Sequence, residues 1–170
     1  TKNVVNKQLE SMHPLGNSIS GEVIAVGKNI NDLVVVDRVA CAGSQSAFHA
    51  EIISSARNLT ARVPDEVTLL NASTVTLGAI ALQGVRRGNP TIGETFVIIG
   101  LGLLGQITHQ ILKSNGIKTI GIDLDSSRVE KAKELGLDYG FSNSSDIVEV
   151  IQKITDGIGA DGVIVTAASS

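Results

Sequence analysis

Three glycines and one acid carry the chemistry that can be read directly from this chain. Gly100, Gly102 and Gly105 have the spacing G-x-G-x-x-G, directly after the apolar run Phe96-Val97-Ile98-Ile99. Asp123 follows Gly105 by 18 residues, at the end of a second apolar run, Ile120-Gly121-Ile122. A dinucleotide diphosphate needs close approach to backbone N–H groups, and glycines at this spacing provide it. Gly100 is expected to turn the chain sharply out of a strand. Gly102 is expected to leave room for the diphosphate, and Gly105 to let the next helix pack closely. Leu103 and Leu104 would open that helix and aim its first amides and positive dipole end at the phosphates.

The Asp123 carboxylate suits the 2′- and 3′-hydroxyls of an adenosine ribose and repels a 2′-phosphate, which favours NAD over NADP. Arg128 has three readings: a hydrogen bond to the ribose edge, tolerance of a 2′-phosphate, or a solvated helix residue. A glycine triplet alone could be an ordinary turn. The order strand, glycines, helix, strand, acid argues for a binding loop.

These residues need a parallel α/β scaffold, and the pattern after residue 94 supplies one. It predicts strands over 95–100, 118–123 and 161–167, and helices over 104–115, 127–135 and 145–155. Ser127 and Glu130 have capping-box spacing, and Gly136 is placed to end the helix between them and it. Ile147, Val150, Ile151 and Ile154 share one helical face.

Earlier residues read differently. Short strands are expected over 21–27, 33–40, 48–54 and 59–63, joined by Gly, Asn and Ser turns, as in part of a small β-barrel or sandwich. Residues 1–12 have the spacing of a polar helix, through Val4, Val5, Leu9 and Met12, stopped by Pro14. Helical pattern resumes after Pro64-Asp65-Glu66 and runs to Gly88.

Composition narrows the class. The chain has 170 residues, a net charge of −3, 42% hydrophobic and 2% aromatic residues. Its core must be aliphatic, and its overall charge does not attract nucleic acid. Two long uncharged stretches, 67–85 and 95–112, are interrupted by polar side chains and glycines and read as buried soluble elements rather than membrane spans. Cys41 is the sole cysteine, so no internal disulfide can form, in keeping with a reducing cytoplasm. The first residues lack the apolar core of a signal peptide and an initiator Met, which suggests a fragment of a longer protein. His13, His49 and His109 are scattered and read as structural. Cys41, Glu51 and Asp37 read the same way, and no catalytic constellation emerges.

Several segments together resemble the medium-chain dehydrogenase/reductase superfamily, the zinc alcohol dehydrogenase group. They are Gly21-Glu22-Val23-Ile24-Ala25-Val26-Gly27, Asp37-Arg38-Val39, His49-Ala50-Glu51, Val63-Pro64-Asp65, Gly93-Glu94 and Ala132-Lys133-Glu134-Leu135-Gly136. The resemblance implies part of a GroES-like β domain over residues 1–76. It implies a Rossmann dinucleotide-binding domain over 77–170, truncated after about four strands. The activity implied is hydride transfer between a nicotinamide cofactor and a carbinol or carbonyl carbon of a small-molecule substrate. The full-length protein would have a homo-oligomer interface on its last Rossmann strand.

Departures from the superfamily point to a zinc-lacking branch. Gly16-Asn17-Ser18 stands where the zinc enzymes carry Gly-His-Glu, and Thr76 where another ligand is expected. Cys41-Ala42-Gly43-Ser44-Gln45 continues where a four-cysteine lobe would begin. Segments 14–18, 38–43 and 76–85 resemble bi-domain oxidoreductases associated with surface polysaccharides, so a sugar is the implied substrate class. Val36 replaces the usual Gly before Asp37. Two alternatives stand beside this reading: a non-catalytic nucleotide-sensing or scaffolding half of a larger protein, and an NADPH-dependent quinone or enoyl reductase.

Overall fold

The computed structural model describes residues 15–142 and 146–167. The expected helix over 1–12, His13, Pro14 and the expected start of a helix at 145 lie outside these residues. The chain divides into two compact units, Thr1–Leu77 and Gly78–Ser170.

The first unit holds a three-stranded antiparallel sheet in sequence order: β1 (Ser18–Glu22), β2 (Arg38–Ala42) and β3 (Thr60–Arg62). Leu33, Val39, Cys41 and Ala47 form one small aliphatic core, packed by Ile19, Val23, Ile30 and Ile53. Helix α1 (Leu69–Ala72) starts at Thr68, whose hydroxyl accepts from the Asn71 amide. The hydroxyls of Ser18 and Ser20 tie β1 to α1 by donating to the Ser73 and Leu69 carbonyls.

Three expectations for this unit need correction. Only the first part of the 21–27 run is in β1; beyond Glu22 the pairing ends after Val23 donates to the Asp37 carbonyl. Residues 48–54 form bends, not a strand, and His49 donates its backbone N–H to Leu15. The run 33–40 becomes strand only at Arg38. Before it, Val36 sits at φ 70, with Asp37 N–H donating to the Val34 carbonyl and the Asp37 carboxylate accepting from the Val34 N–H. The apolar run therefore closes a turn.

A β-branched residue in the left-handed region is strained, by about 1–3 kcal/mol. Val36 is exposed and loses little packing on replacement. Val36→Gly is expected to stabilise this unit by about 1 kcal/mol, after allowing for the greater chain entropy of glycine. A raised denaturant midpoint at unchanged slope checks it.

The expected single helix after Glu66 is two helices. A break at Ser73-Thr74 separates α1 from α2 (Val75–Gly88). The second unit then alternates strand and helix: β4 (Thr95–Ile99), α3 (Leu103–Ser114), β5 (Lys118–Ile122), α4 (Ser126–Glu134), β6 (Tyr139–Phe141), α5 (Ile147–Ile154) and β7 (Gly162–Val165). The four strands make a parallel sheet in the order β6-β5-β4-β7. Numbered from β4, that is 3-2-1-4, the start of the doubly wound Rossmann order. The strands predicted in this part are present, each shortened by one to three residues, and β6 is an addition.

The unit's core is aliphatic, as composition required, except for Phe96. Ile98, Leu101, Leu112, Ile117, Val129, Ala132 and Leu137 are buried around it. His109 is fully buried on α3, and neither ring nitrogen has a partner. Burial pushes its pKa down against a smaller upward pull from Asp138, and Lys113 adds to the downward push, so the ring stays neutral. The capping box also needs correction. Asp125 caps α4, its carboxylate accepting from the Ser127 amide and hydroxyl, and Ser127 lies inside the helix. Gly136 ends the helix region at φ 96.

Candidate dinucleotide site

The glycine loop leaves the C-terminal end of β4, at the place where strand order reverses between β4 and β7. Open α/β sheets bind their ligands there. Gly100 takes φ 96, and its N–H donates to the Ile122 carbonyl at 2.7 Å. Its carbonyl accepts from the Thr166 hydroxyl at 2.5 Å. A Cβ on Gly100 would lie 2.6 Å from the Ala167 nitrogen, so a side chain is excluded by crowding as well as by φ.

Gly105 packs even more closely. A Cβ there would fall 2.0 Å from the Gly100 carbonyl oxygen and 2.9 Å from the Thr166 hydroxyl. The close approach expected of this glycine is made to the loop and to the segment after β7. Gly102 differs from both, because nothing lies within 4 Å of a Cβ built on it. The space over it is open.

Gly102 is also the N-cap of α3, and no side chain caps that helix. The first amides of a helix have no intrahelical acceptor. With glycine at the cap, the N–H groups of Leu103, Leu104 and Gly105 are left for an outside acceptor. Their charge preference is for an anion.

Asp123 closes the loop from below, with its side chain 8% exposed. Oδ2 accepts from the Leu101 N–H at 2.6 Å and Oδ1 from the Asp125 N–H at 2.9 Å. Burial alone would raise its pKa. The two amide donors and the nearby Arg128 cation outweigh burial and lower it, so the group is a carboxylate. Arg128 places Nη1 3.7 Å from Asp123 Oδ2 and Nε 3.6 Å from Asp125 Oδ2. Its side chain is more than half exposed, so these contacts are loose.

Arg128 thus stands beside Asp123, on the rim of an open groove. Leu101, Gly102, Leu103 and Gln106 line one side, and Ser127, Arg128 and Lys131 the other. All seven residues proposed from sequence, Gly100, Gly102, Leu103, Leu104, Gly105, Asp123 and Arg128, lie in this loop or in the segments that flank it. Sequence reading missed Gln106, Lys131 and Thr166. Gln106 was visible as a polar amide directly after Gly105; Thr166 carried no sequence signal.

A family model described as "Zinc-binding dehydrogenase" matches residues 104–170. D-guloside 3-dehydrogenase of Escherichia coli (strain K12) is 32% identical over 156 residues, covering 90% of this chain and 44% of the relative. (R,R)-butanediol dehydrogenase of Bacillus subtilis (strain 168) is 29% identical over 168 residues, covering 84% of this chain and 49% of the relative. The solved structure of mycobacterial Rv1454c complexed with NADPH superposes with a TM-score of 0.79 at 25% identity, over 93% of this chain and 51% of that one. This chain belongs to the medium-chain dehydrogenase/reductase superfamily. It spans about half the length of the relatives it matches.

The superfamily description raises zinc, and the donors at the positions singled out from sequence do not fit it. Asn17 and Thr76 carry an amide and a hydroxyl, where zinc takes Cys, His or carboxylate. The Thr76 hydroxyl is buried without a partner. Among the described residues, no group of three or more His, Cys, Asp or Glu could hold a metal ion. No helix among them is long and apolar enough to cross a membrane.

Proposed function

We propose that this chain is the NAD(H)-binding portion of a zinc-independent oxidoreductase that transfers hydride at a carbinol or carbonyl carbon, with a sugar as the substrate class. The observation that carries the cofactor reading is the uncapped start of α3 over the open face of Gly102. The Leu103, Leu104 and Gly105 amides would hold the diphosphate, and Asp123 the adenosine ribose. When bound, the nicotinamide supplies or accepts the hydride; the protein supplies position.

Asp123 supports NAD over NADP. Its oxygens each hold one amide and keep a second lone pair for a ribose hydroxyl. Its charge is poorly placed for a 2′-phosphate. The sugar reading draws support from the relative named D-guloside 3-dehydrogenase. The zinc-independent reading draws support from Asn17 and Thr76.

A second reading has its own observation. Ser127, Arg128 and Lys131 line the groove beside Asp123, and two cations with a hydroxyl suit a phosphate. That arrangement favours an NADPH-dependent reductase. Calorimetric titration of NAD and NADP decides between them. The expected result is tighter binding of NAD; equal or reversed affinity overturns the NAD assignment, and no binding of either overturns the dinucleotide reading.

A further inference from the structure

Gln106 occupies the first full turn of α3, and its side chain turns back across the groove. Nε2 donates to the Leu101 carbonyl at 3.0 Å and to the Arg128 carbonyl at 2.9 Å. An amide nitrogen has two hydrogens, so both are used. One carbonyl belongs to the glycine loop and the other to α4. The side chain is therefore a tie between the two walls of the groove.

The orientation of this amide is fixed by its surroundings. Both near partners are acceptors, so nitrogen must face them. Oε1 is then left buried with no donor among the described residues. A buried orphan oxygen opposes folding, by an amount comparable with what one of the two hydrogen bonds contributes. Gln106 is thus a costly way to stabilise the fold. Its distinctive effect is on placement.

What it places follows from the neighbouring bonds. Leu101 is held at its N–H by Asp123 and at its carbonyl by Gln106. Arg128 is held at its carbonyl by Gln106, and its N–H donates to Asp125 at 3.2 Å. The backbone that carries the Arg128 side chain is tied to the same loop peptide that Asp123 grips. The guanidinium in turn sits near both Asp123 and Asp125 without a close hydrogen bond to either. Its position is set by its root more than by its tip.

We infer that Gln106 is a positioning residue that sets cofactor discrimination by tying Arg128 to the glycine loop beside Asp123. This rests on the dinucleotide reading of the site. With the tie intact, Arg128 stays over the Asp123 carboxylate. With the tie cut, the α4 wall relaxes and the long, exposed Arg128 side chain reaches a 2′-phosphate more readily.

The test uses Gln106→Met, which keeps length and volume and removes both donors. NAD and NADP are titrated by calorimetry against the wild type, Gln106→Met, Arg128→Ala and the double variant. Gln106→Met is expected to shift the ratio of the two affinities toward NADP by about fivefold, while melting within about 4 °C of the wild type. In the Arg128→Ala background the same change is expected to leave the ratio unaltered.

An unchanged ratio in Gln106→Met overturns the inference. So does an equal shift in both backgrounds, which would show that Gln106 acts without Arg128. Gln106→Ala carries the same expectation and serves if the Met variant does not fold. A wild type that binds neither dinucleotide overturns the reading of the site itself, a result distinct from either of these.

Discussion

Gly105→Ala is expected to abolish dinucleotide binding and to destabilise the second unit by about 2–3 kcal/mol. The added methyl would sit 2.0 Å from the Gly100 carbonyl oxygen. That oxygen belongs to backbone held on two sides, by the bond from Gly100 N–H to Ile122 and by the Thr166 hydroxyl. Overpacking a well-packed site costs about 1–3 kcal/mol, and here the nearest atom is a backbone oxygen rather than the end of a side chain that could swing away. Relief must come from moving α3 away from the loop. That movement withdraws the first amides of the helix from the space over Gly102. Thermal melting and calorimetry with NAD measure the two effects separately. A variant that melts normally and binds normally would show that the loop is looser than its geometry.

Asp123→Ala is expected to weaken NAD binding at least tenfold and to cost about 1–3 kcal/mol of stability. The carboxylate accepts from two backbone amides, those of Leu101 and Asp125. Leaving the buried Leu101 donor without an acceptor costs about 1–3 kcal/mol, whereas the exposed Asp125 amide turns to water. A ribose contact cannot be judged from this variant alone, because the loop loses its brace at the same time. Asp123→Asn separates the roles, since its single amide oxygen can keep one loop bond while the charge is gone. It is expected to lower the preference for NAD over NADP with a smaller loss of stability.

The pH dependence of Asp123 has a definite sign. Its pKa is lowered on folding, so the unfolded chain binds more protons in the acid range. Its contribution is complete above the ordinary carboxylate value of 3.8 and is lost as pH falls below it. The stability difference between wild type and Asp123→Ala is expected to shrink below that pH. A constant difference from neutral to strongly acid solution would contradict the carboxylate's role as a brace.

The second unit was more legible than the first. Its central strands β4 and β5 are largely buried in a parallel sheet, and short apolar runs between helical periods announce the strands. β6 escaped because Tyr139-Gly140-Phe141 is three residues with a glycine at the centre. Only its pairing with Ile120, Gly121 and Ile122 makes it a strand. In the first unit, local pattern misled. Leu33 to Val36 reads as strand by side-chain type, but Asp37 folds back on the Val34 amide and Val36 accepts a strained φ. Residues 48–54 have apolar side chains without forming a ladder.

The candidate site divides along similar lines. The glycines and Asp123 are legible because each solves a steric or charge problem that follows from spacing. Gln106 and Thr166 act on backbone carbonyls. A carbonyl is present at every position, so nothing in the sequence reveals which one a side chain will find.

The Thr166 contact has a consequence for how the site comes into being. The loop itself is six residues, yet one of its carbonyls is secured by a hydroxyl 66 positions later. β7, which carries Thr166 to that place, pairs with β4 only after α3, β5, α4, β6 and α5 have been laid down between them. A nascent chain that has passed the glycines still lacks the finished loop. Cofactor binding would then begin only once the sheet has closed on β7, and a bound dinucleotide would hold that strand in place by mass action. Hydrogen exchange at Gly162–Val165, slowed on adding NAD, would report that coupling.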